Sequence, residues 1–364
     1  MKRLSLIALC ALIAVMLYGE SATVSGRGLD SLRSVGPFGR GLFRYAQFGH
    51  SLYADVHPNF PRMDIPYCTN HPAYDYGGHD AAYRWQTTGL FGLSLPVWAG
   101  NLVDSTYALC VNMHLSANLW MDFFDHSTSP IVDTDYRIGM PTVTFLHRLK
   151  GRFAHNYSVS WSPFKHESTH IGDELQIRFM DQNRALRRVN VSYNYTEFVL
   201  TLNEAEDRFA QNHCFRFGLM LLWHGGWFNM DPDGGDASLL DPNGTQAVPY
   251  GKRNPWEVYL QYQYQSPSSR HGFQGIASAE IRNRECYGYD LTAVNGQLSE
   301  FSFQKEKRVF TYNVFIGARY NTPAYDGPFS RIALGLRAYH GNCPFGQFRS
   351  IDNYSQIGIC MLFE

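Results

Sequence analysis

From about residue 90 to the C-terminus, apolar and polar positions alternate with a period of two. Phe153, His155, Tyr157, Val159 and Trp161 are separated by Ala154, Asn156, Ser158 and Ser160. Trp256, Val258, Leu260, Tyr262 and Tyr264 are separated by Glu257, Tyr259, Gln261 and Gln263. Phe310, Tyr312, Val314, Ile316, Ala318 and Tyr320 make a third apolar face. Ile332, Leu334, Leu336 and Ala338 make a fourth, and Ile357, Ile359, Met361 and Phe363 a fifth. Successive side chains of a strand point to opposite faces, so each segment carries one apolar face and one polar or small one. Many of these segments run to about ten residues, the length that a tilted strand needs to cross a bilayer. Strands of soluble proteins average about five or six.

In lipid a sheet must close on itself so that every backbone group is paired. The alternation therefore predicts an all-β fold, a transmembrane antiparallel β-barrel of about 12 strands over residues 90–364. A secreted β-sandwich is the competing architecture, and strand length and aromatic load argue against it. Connections such as Asp231-Pro-Asp-Gly-Gly-Asp236 and Asp241-Pro-Asn-Gly244 carry turn chemistry. The expected register puts Trp161, Trp256, Val258 and Leu260 toward lipid. It puts Ser158, Ser160, Gln261 and Gln263 toward the lumen, because amides in hydrocarbon are costly. Residues 23–89, with recurring Gly, Pro, Asp and His, read as an irregular N-terminal segment packed on or into the barrel. Residues 1–22 read as a secretory signal peptide: Lys2 and Arg3 precede an apolar run from Leu4 to Leu17, and Gly19, Ser21 and Ala22 supply small residues near a cleavage point.

Composition agrees with β structure: aromatics reach 15 % and charged residues only 17 %. A net charge of -1 steers the chain toward no nucleic acid. After the signal no apolar run is long enough for a membrane helix. Cys68, Cys110, Cys214, Cys286, Cys343 and Cys360 are scattered without a CxxC pair, so neither zinc-ribbon nor thioredoxin chemistry is indicated. Export permits disulfides among them, and isolated cysteines on strands fit equally well. No cofactor or metal site is indicated. The implied location is the cell outer membrane, with its lipid, phospholipid or lipopolysaccharide, as partner.

Four segments resemble a family of bacterial outer-membrane proteins, the domain-of-unknown-function family numbered 1207. They are Asp133-Thr-Asp-Tyr-Arg-Ile-Gly-Met-Pro141, His166-Glu-Ser-Thr-His-Ile-Gly-Asp-Glu174, Arg188-Val-Asn-Val-Ser-Tyr193 and Gly341-Asn-Cys-Pro-Phe-Gly-Gln-Phe348. The chain departs from that pattern at Glu167 and Thr169, and again at Cys343 and Phe345. The resemblance implies a membrane barrel and brings no catalytic residue with it.

Residues 166–174 concentrate the candidate chemistry. His166 and Ser168 stand two apart, so on a strand they share a face and the imidazole can take the hydroxyl proton. The pair is similar to the His-x-Ser that outer-membrane phospholipase A and lipid A deacylases carry on a barrel strand. Asp173, Glu174 or Asn190 could orient the base. His114-x-Ser116 is a second instance of the string. His166-Glu167-x-x-His170 also matches the zinc-protease string, which needs a helix. On a strand the two imidazoles would stand about 13 Å apart. The third reading is structural: His166, Ser168, His170, Asp173 and Glu174 as a polar network inside the barrel.

Parity separates these readings. The apolar face before the motif holds odd positions, whereas His166, Ser168 and His170 are even, like Ser158 and Ser160. An uninterrupted strand puts the trio in the lumen, where bilayer lipid does not reach. A bulge at Ser162-Pro163 would turn it outward. The expectation is an uninterrupted strand, a lumen network and an envelope protein without enzymatic activity. The alternatives are a barrel-embedded lipid esterase and a small-solute channel, the latter opposed by large lumen residues such as Tyr259, Gln261 and Gln263.

Overall fold

The computed structural model describes residues 51–58, 60–70, 85–102, 106–121, 131–139, 141–149, 154–171, 190–205, 210–229, 256–268, 272–286, 289–294, 297–303, 307–321, 331–345 and 353–363. Residues 1–22, which read as a signal peptide, lie outside them, as do Asp173, Glu174, residues 231–236 and the side chain of Asn190.

The strands are β1 (Arg62–Asn70), β2 (Thr87–Leu102), β3 (Tyr107–Met121), β4 (Ile131–Gly139), β5 (Thr142–Arg148), β6 (Asn156–Ile171), β7 (Asn190–Leu202) and β8 (Asn212–Asn229). They continue with β9 (Trp256–Gln265), β10 (Phe273–Cys286), β11 (Tyr289–Val294), β12 (Gln297–Phe303), β13 (Lys307–Asn321), β14 (Arg331–Gly341) and β15 (Tyr354–Phe363). All but β11 and β12 join one antiparallel sheet. β1 pairs with both β15 and β2, and the remaining ladders run round to β3, which closes the ring. β4 and β5 are two halves of one crossing, since each lies between β3 and β6. The result is a closed barrel of 12 antiparallel strands. β11 and β12 form a hairpin that extends the β10–β13 connection.

The alternation sorts onto the two walls as the sequence predicts. Trp161 and Leu260 are exposed on the outer wall, with Trp256 and Val258 half-buried beside them, while Ser158, Ser160, Gln261 and Gln263 are buried inside. Along β13 the outer face is Phe310, Tyr312, Val314 and Ile316, and the inner face Thr311, Asn313, Phe315 and Arg319. A continuous apolar exterior is what a closed sheet needs to sit in hydrocarbon.

The barrel starts earlier than the boundary at 90. β1 and the first residues of β2 lie inside the segment that reads as irregular. The cause is what β1 turns inward: Arg62 and Asp64 are buried in an ion pair at 3.0 Å, and Asp64 also accepts from Arg337 Nη1 at 2.9 Å. With charged lumen residues and Pro66, the strand lacks the apolar signature that marks its neighbours.

The lumen is filled. Arg282 meets Glu280 at 3.0 Å, and Glu257 and Asp55 at 3.7 Å. The Tyr259 ring lies across Gly218, where an added Cβ would come within 1.9 Å of the ring, and its hydroxyl donates to Glu197 at 2.9 Å. Residues of the 51–60 stretch enter this interior. The Tyr53 N–H donates to Gln263 Oε1 at 2.9 Å, the Ala54 N–H to Ser278 Oγ at 3.1 Å, and Asn313 Nδ2 to the Ala54 carbonyl at 2.5 Å. This is the part of the N-terminal segment that does pack into the barrel. Among the described residues a partly open cavity of about 90 Å3 remains in this interior, lined by Asp55, His114, Arg137, Glu197, Tyr259 and Arg282 among others. Connections at one end of the barrel, such as 172–189 and 230–255, are longer than those at the other, such as 103–106 and 149–155.

Candidate functional site on the outer wall

Two prolines decide which way the motif faces. Pro141 separates β4 from β5, and Pro163 lies within β6. The β4–β6 register ends at Gly139↔Lys165 and resumes at Val143↔Trp161, which sets the two prolines opposite one another. Proline has no N–H to give to a ladder and is tolerated at bulges. Both strands bulge here. From Ser162↔Glu197 to Lys165↔Tyr195, β6 advances three residues while β7 advances two. From Ile138↔Leu115 to Thr142↔Asn112, β4–β5 advances four while β3 advances three. The Thr196 hydroxyl donates to the Pro163 carbonyl at 2.9 Å, which satisfies an acceptor that the bulge takes out of the ladder.

The extra residue reverses parity, contrary to the expectation of an uninterrupted strand. Below the bulge β6 turns Ser158, Ser160 and Ser162 inward; above it Glu167 and Thr169 are inside, at 1 % and 0 % exposure. His166 and Ser168 are half-buried and His170 is exposed, all on the outer wall. The lumen network of His166, Ser168 and His170 therefore does not form. Glu167 is instead paired inside with Arg137, Nε to Oε2 at 2.9 Å.

On the outer wall the neighbouring strand supplies a partner that the sequence reading missed. Asn194 of β7 is the register partner of His166, and His166 Nδ1 lies 2.7 Å from Asn194 Oδ1. An amide oxygen only accepts, so this contact puts the proton on Nδ1 and leaves the Nε2 lone pair for another group. Ser168 Oγ lies 3.4 Å from His170 Nε2. The hydroxyl thus sits between imidazoles two residues before and two residues after it. Apolar rings frame the polar cluster: Tyr136 packs edge-on to His170 at 5.9 Å, and Phe164 lies 5.8 Å from Trp223 of β8. Ile138, the register partner of His166 on β4, is exposed beside them. A strand signal could have revealed Asn194. With Thr196 it ends the outward apolar series formed by Phe198, Leu200 and Leu202 on the same face of β7.

The zinc-protease string meets neither of its requirements. Residues 166–170 are strand, and Glu167 points to the wall opposite both histidines. The other His-x-Ser pair, His114 and Ser116, lies on β3 and lines the internal cavity. A further His–Ser contact joins His340 Nδ1 to Ser355 Oγ at 2.7 Å across β14 and β15 on the outer wall. There the serine occupies Nδ1 itself. Cys68, Cys110, Cys214, Cys343 and Cys360 are buried and free.

No protein family matches the chain, and no curated protein does. Among solved structures the barrel is similar to outer membrane phospholipase A from Escherichia coli, in its N156A active-site mutant. The identity is 12 %, the TM-score 0.46, and the alignment covers 90 % of this chain and 93 % of that one. It is similar to a calcium-bound dimer of the outer membrane phospholipase of Salmonella typhi, at 12 % identity, TM-score 0.42 and 84 % and 91 % coverage. It is also similar to LpxR from Salmonella typhimurium, at 11 % identity, TM-score 0.34 and 83 % and 99 % coverage. At these identities the likeness concerns the fold and transfers no residue's role.

Proposed function

We propose that the protein is a barrel-embedded acyl-ester hydrolase of a bacterial outer membrane, acting on lipid at its outer wall. The observation that carries this reading is the bulge at Pro163, which puts His166 and Ser168 on the outer wall, with His166 in register with Asn194. Ser168 is the nucleophile, His166 its base, and Asn194 the residue that orients the base. Ser168 Oγ attacks the ester carbonyl while His166 Nε2 takes its proton. The imidazolium returns that proton to the departing alcohol, and water then releases the fatty acid from the acyl-serine by the same base. Apo catalytic contacts are often long and tighten only around substrate. Rotation of Ser168 from His170 toward His166 belongs to that class of adjustment. The site lies toward the end with the longer connections, which in outer-membrane barrels faces outward. That favours an acyl ester of outer-leaflet phospholipid or lipopolysaccharide. A place in the family numbered 1207 is part of this proposal and is supported by the four segments quoted above, two of which contribute to this patch.

The filled lumen supports a hydrolase or a non-enzymatic envelope protein over a solute channel. Asp173 and Glu174, first considered as orienters, are not needed, because Asn194 holds His166. The test is fatty-acid release from phospholipid and from lipopolysaccharide by the folded barrel, with Ser168→Ala, His166→Ala and Asn194→Ala alongside. Loss of release in the first two, with the heat-modifiable band retained, is the expected result. A wild-type barrel inert on both lipids would return the patch to a structural role.

A further inference from the structure

The inner wall is largely polar, yet Ile276 of β10, Phe315 of β13, Ala333 of β14, and Cys360 and Leu362 of β15 form a buried apolar patch across four neighbouring strands. Water in the lumen would favour polar residues there. The chain's own stretch before β1 covers the patch. The Tyr53 ring packs edge-on to Phe315 at 5.4 Å and to Phe60 at 5.6 Å. The wall is cut back beneath them: a Cβ at Gly317 or Gly335 would stand 2.8 Å from the Phe315 ring. The contact between Tyr53 and Phe60 folds the stretch into a loop. At its turn the Asp55 carboxylate accepts from the His57 N–H at 2.9 Å. Val56, beside it, joins Trp120, Tyr339, Cys343 and Phe345 in a second buried cluster. The loop therefore reaches from Pro61, whose carbonyl accepts from the Phe363 N–H, to residues that follow β14 at the opposite end of the barrel. Wall side chains also engage its polar groups. Gln263, Ser278 and Asn313 satisfy the backbone of Tyr53 and Ala54. Arg62 Nη1 donates to the Asp55 carbonyl at 3.0 Å, Arg319 Nη1 donates to the Tyr53 hydroxyl at 3.2 Å, and Arg282 stands 3.7 Å from the Asp55 carboxylate.

Two facts set this loop apart from the side chains that fill the rest of the lumen. None of the described residues 51–58 and 60 belongs to a strand, so the loop can leave without opening the ring of ladders. The size of the barrel is the other. Wall side chains alone fill a barrel of about eight strands, whereas about 16 to 18 strands leave an aqueous channel. With 12 strands this barrel lies between, and a further segment is needed to close it. The cavity of about 90 Å3 is lined on one side by Ser51, Asp55, His57 and Pro58 of the loop, so withdrawal joins that cavity to the space the loop vacates. Beyond the apolar patch, the wall uncovered in this way carries Gln263, Glu280, Arg282 and Asn313, groups suited to water and polar solutes. We propose that residues 51–60 are a plug that seals a pore for small hydrophilic solutes, and that the apolar patch with its flanking donors and acceptors is the seat of that plug. The plug touches the inner wall, and the proposal does not rest on the hydrolase reading.

The test compares the full chain with a variant lacking residues 51–58, both folded in detergent and reconstituted into planar bilayers and liposomes. The wild type should be silent. The deletion variant should show stepwise conductance and admit small sugars in a liposome-swelling assay. Cys360 supplies a second readout inside the seat, because it shares one buried cluster with Tyr53 and Phe60. A water-soluble methanethiosulfonate reagent, with the modified thiol located by peptide mass, should leave Cys360 intact in the wild type and modify it in the deletion variant. Tyr53→Ala keeps the chain at full length while removing both ring contacts and the bond from Arg319. Local opening should then raise the rate of Cys360 modification by about tenfold or more. A deletion variant that keeps its heat-modifiable band and stays silent would overturn the proposal, whatever happens at Cys360. If the deletion variant does not fold, Tyr53→Ala decides instead, and a Cys360 rate equal to that of the wild type would overturn it. Fatty-acid release enters neither readout, so loss of the hydrolase reading leaves this result standing.

Discussion

His114-x-Ser116 and His166-x-Ser168 are the same string on two strands of one barrel, and they end on opposite walls. The first lines the internal cavity; the second lies on the outer wall against Asn194. Neither local propensity nor spacing distinguishes them. What differs is the strand that leads to each pair. β6 carries Pro163 opposite Pro141, and the bulge that the prolines impose moves every later side chain to the other wall. In a barrel the wall decides the chemistry. A serine in the lumen meets polar side chains and the 51–60 stretch, whereas one on the outer wall meets acyl chains.

The comparison breaks most sharply at the two serines. Ser168→Ala should reduce fatty-acid release by about 10³-fold or more, the scale on which a serine nucleophile or its base is lost. Ser116→Ala should leave release within about twofold. Equal sensitivity of the two variants would mean that wall and activity are unrelated. Placement can also be read without activity. In proteoliposomes a cysteine at Ser168 should react with a lipophilic maleimide, while one at Thr169, 0 % exposed in the lumen, should not. The background is low because the described native cysteines are buried. Labelling at 169 and not at 168 would remove the parity reversal on which the functional proposal stands.

The next effect in size belongs to Asn194. Its contact with His166 is a single hydrogen bond that strengthens when the ring becomes charged. Bonds to charged groups contribute about 1.5–3 kcal/mol, which corresponds to roughly 10- to 100-fold in rate. Asn194→Ala should lower kcat by that amount and leave KM nearly unchanged, since Asn194 orients the base and does not hold the lipid. A change confined to KM would recast Asn194 as part of the lipid-binding surface.

Much of this barrel was legible from alternation, because each lipid-facing position must be apolar and each lumen position polar or small. Gln261 and Gln263 inside, and Leu260 outside, follow from that rule alone. β1 escaped it because Arg62 and Asp64 compensate each other only once the fold brings them together, with Arg337 from a strand near the other end of the chain. The wall that His166 faces escaped for a different reason. Pro163 was visible as a place where a bulge could form. Whether it does depends on Pro141 coming opposite and on Thr196 receiving the freed carbonyl, both of which are properties of strand pairing. Asn194 could have been found by carrying the apolar face of β7 back from Leu202 past Thr196, the first polar interruption, to the next position on that face.

The smallest effect concerns the second imidazole. In this structure Ser168 Oγ contacts His170, yet the distance of 3.4 Å exceeds the usual range for a hydrogen bond to oxygen or nitrogen. His170 is exposed, and its ring meets Tyr136 at 5.9 Å. His166 is half-buried and held at 2.7 Å by Asn194, with Nε2 as its open nitrogen. A base must be held in one tautomer and one orientation to accept a proton repeatedly, and His166 meets that condition through a neighbouring strand. His170→Ala should therefore lower fatty-acid release less than about tenfold, whereas His166→Ala should match Ser168→Ala. Measuring both single variants and the pair decides the assignment. If His166 is the base, the double variant is no worse than His166→Ala alone, because removing the base already removes the step. If the order of the single variants is reversed, the proton goes to His170, and the Asn194 contact fixes the wall around the serine and not the reaction.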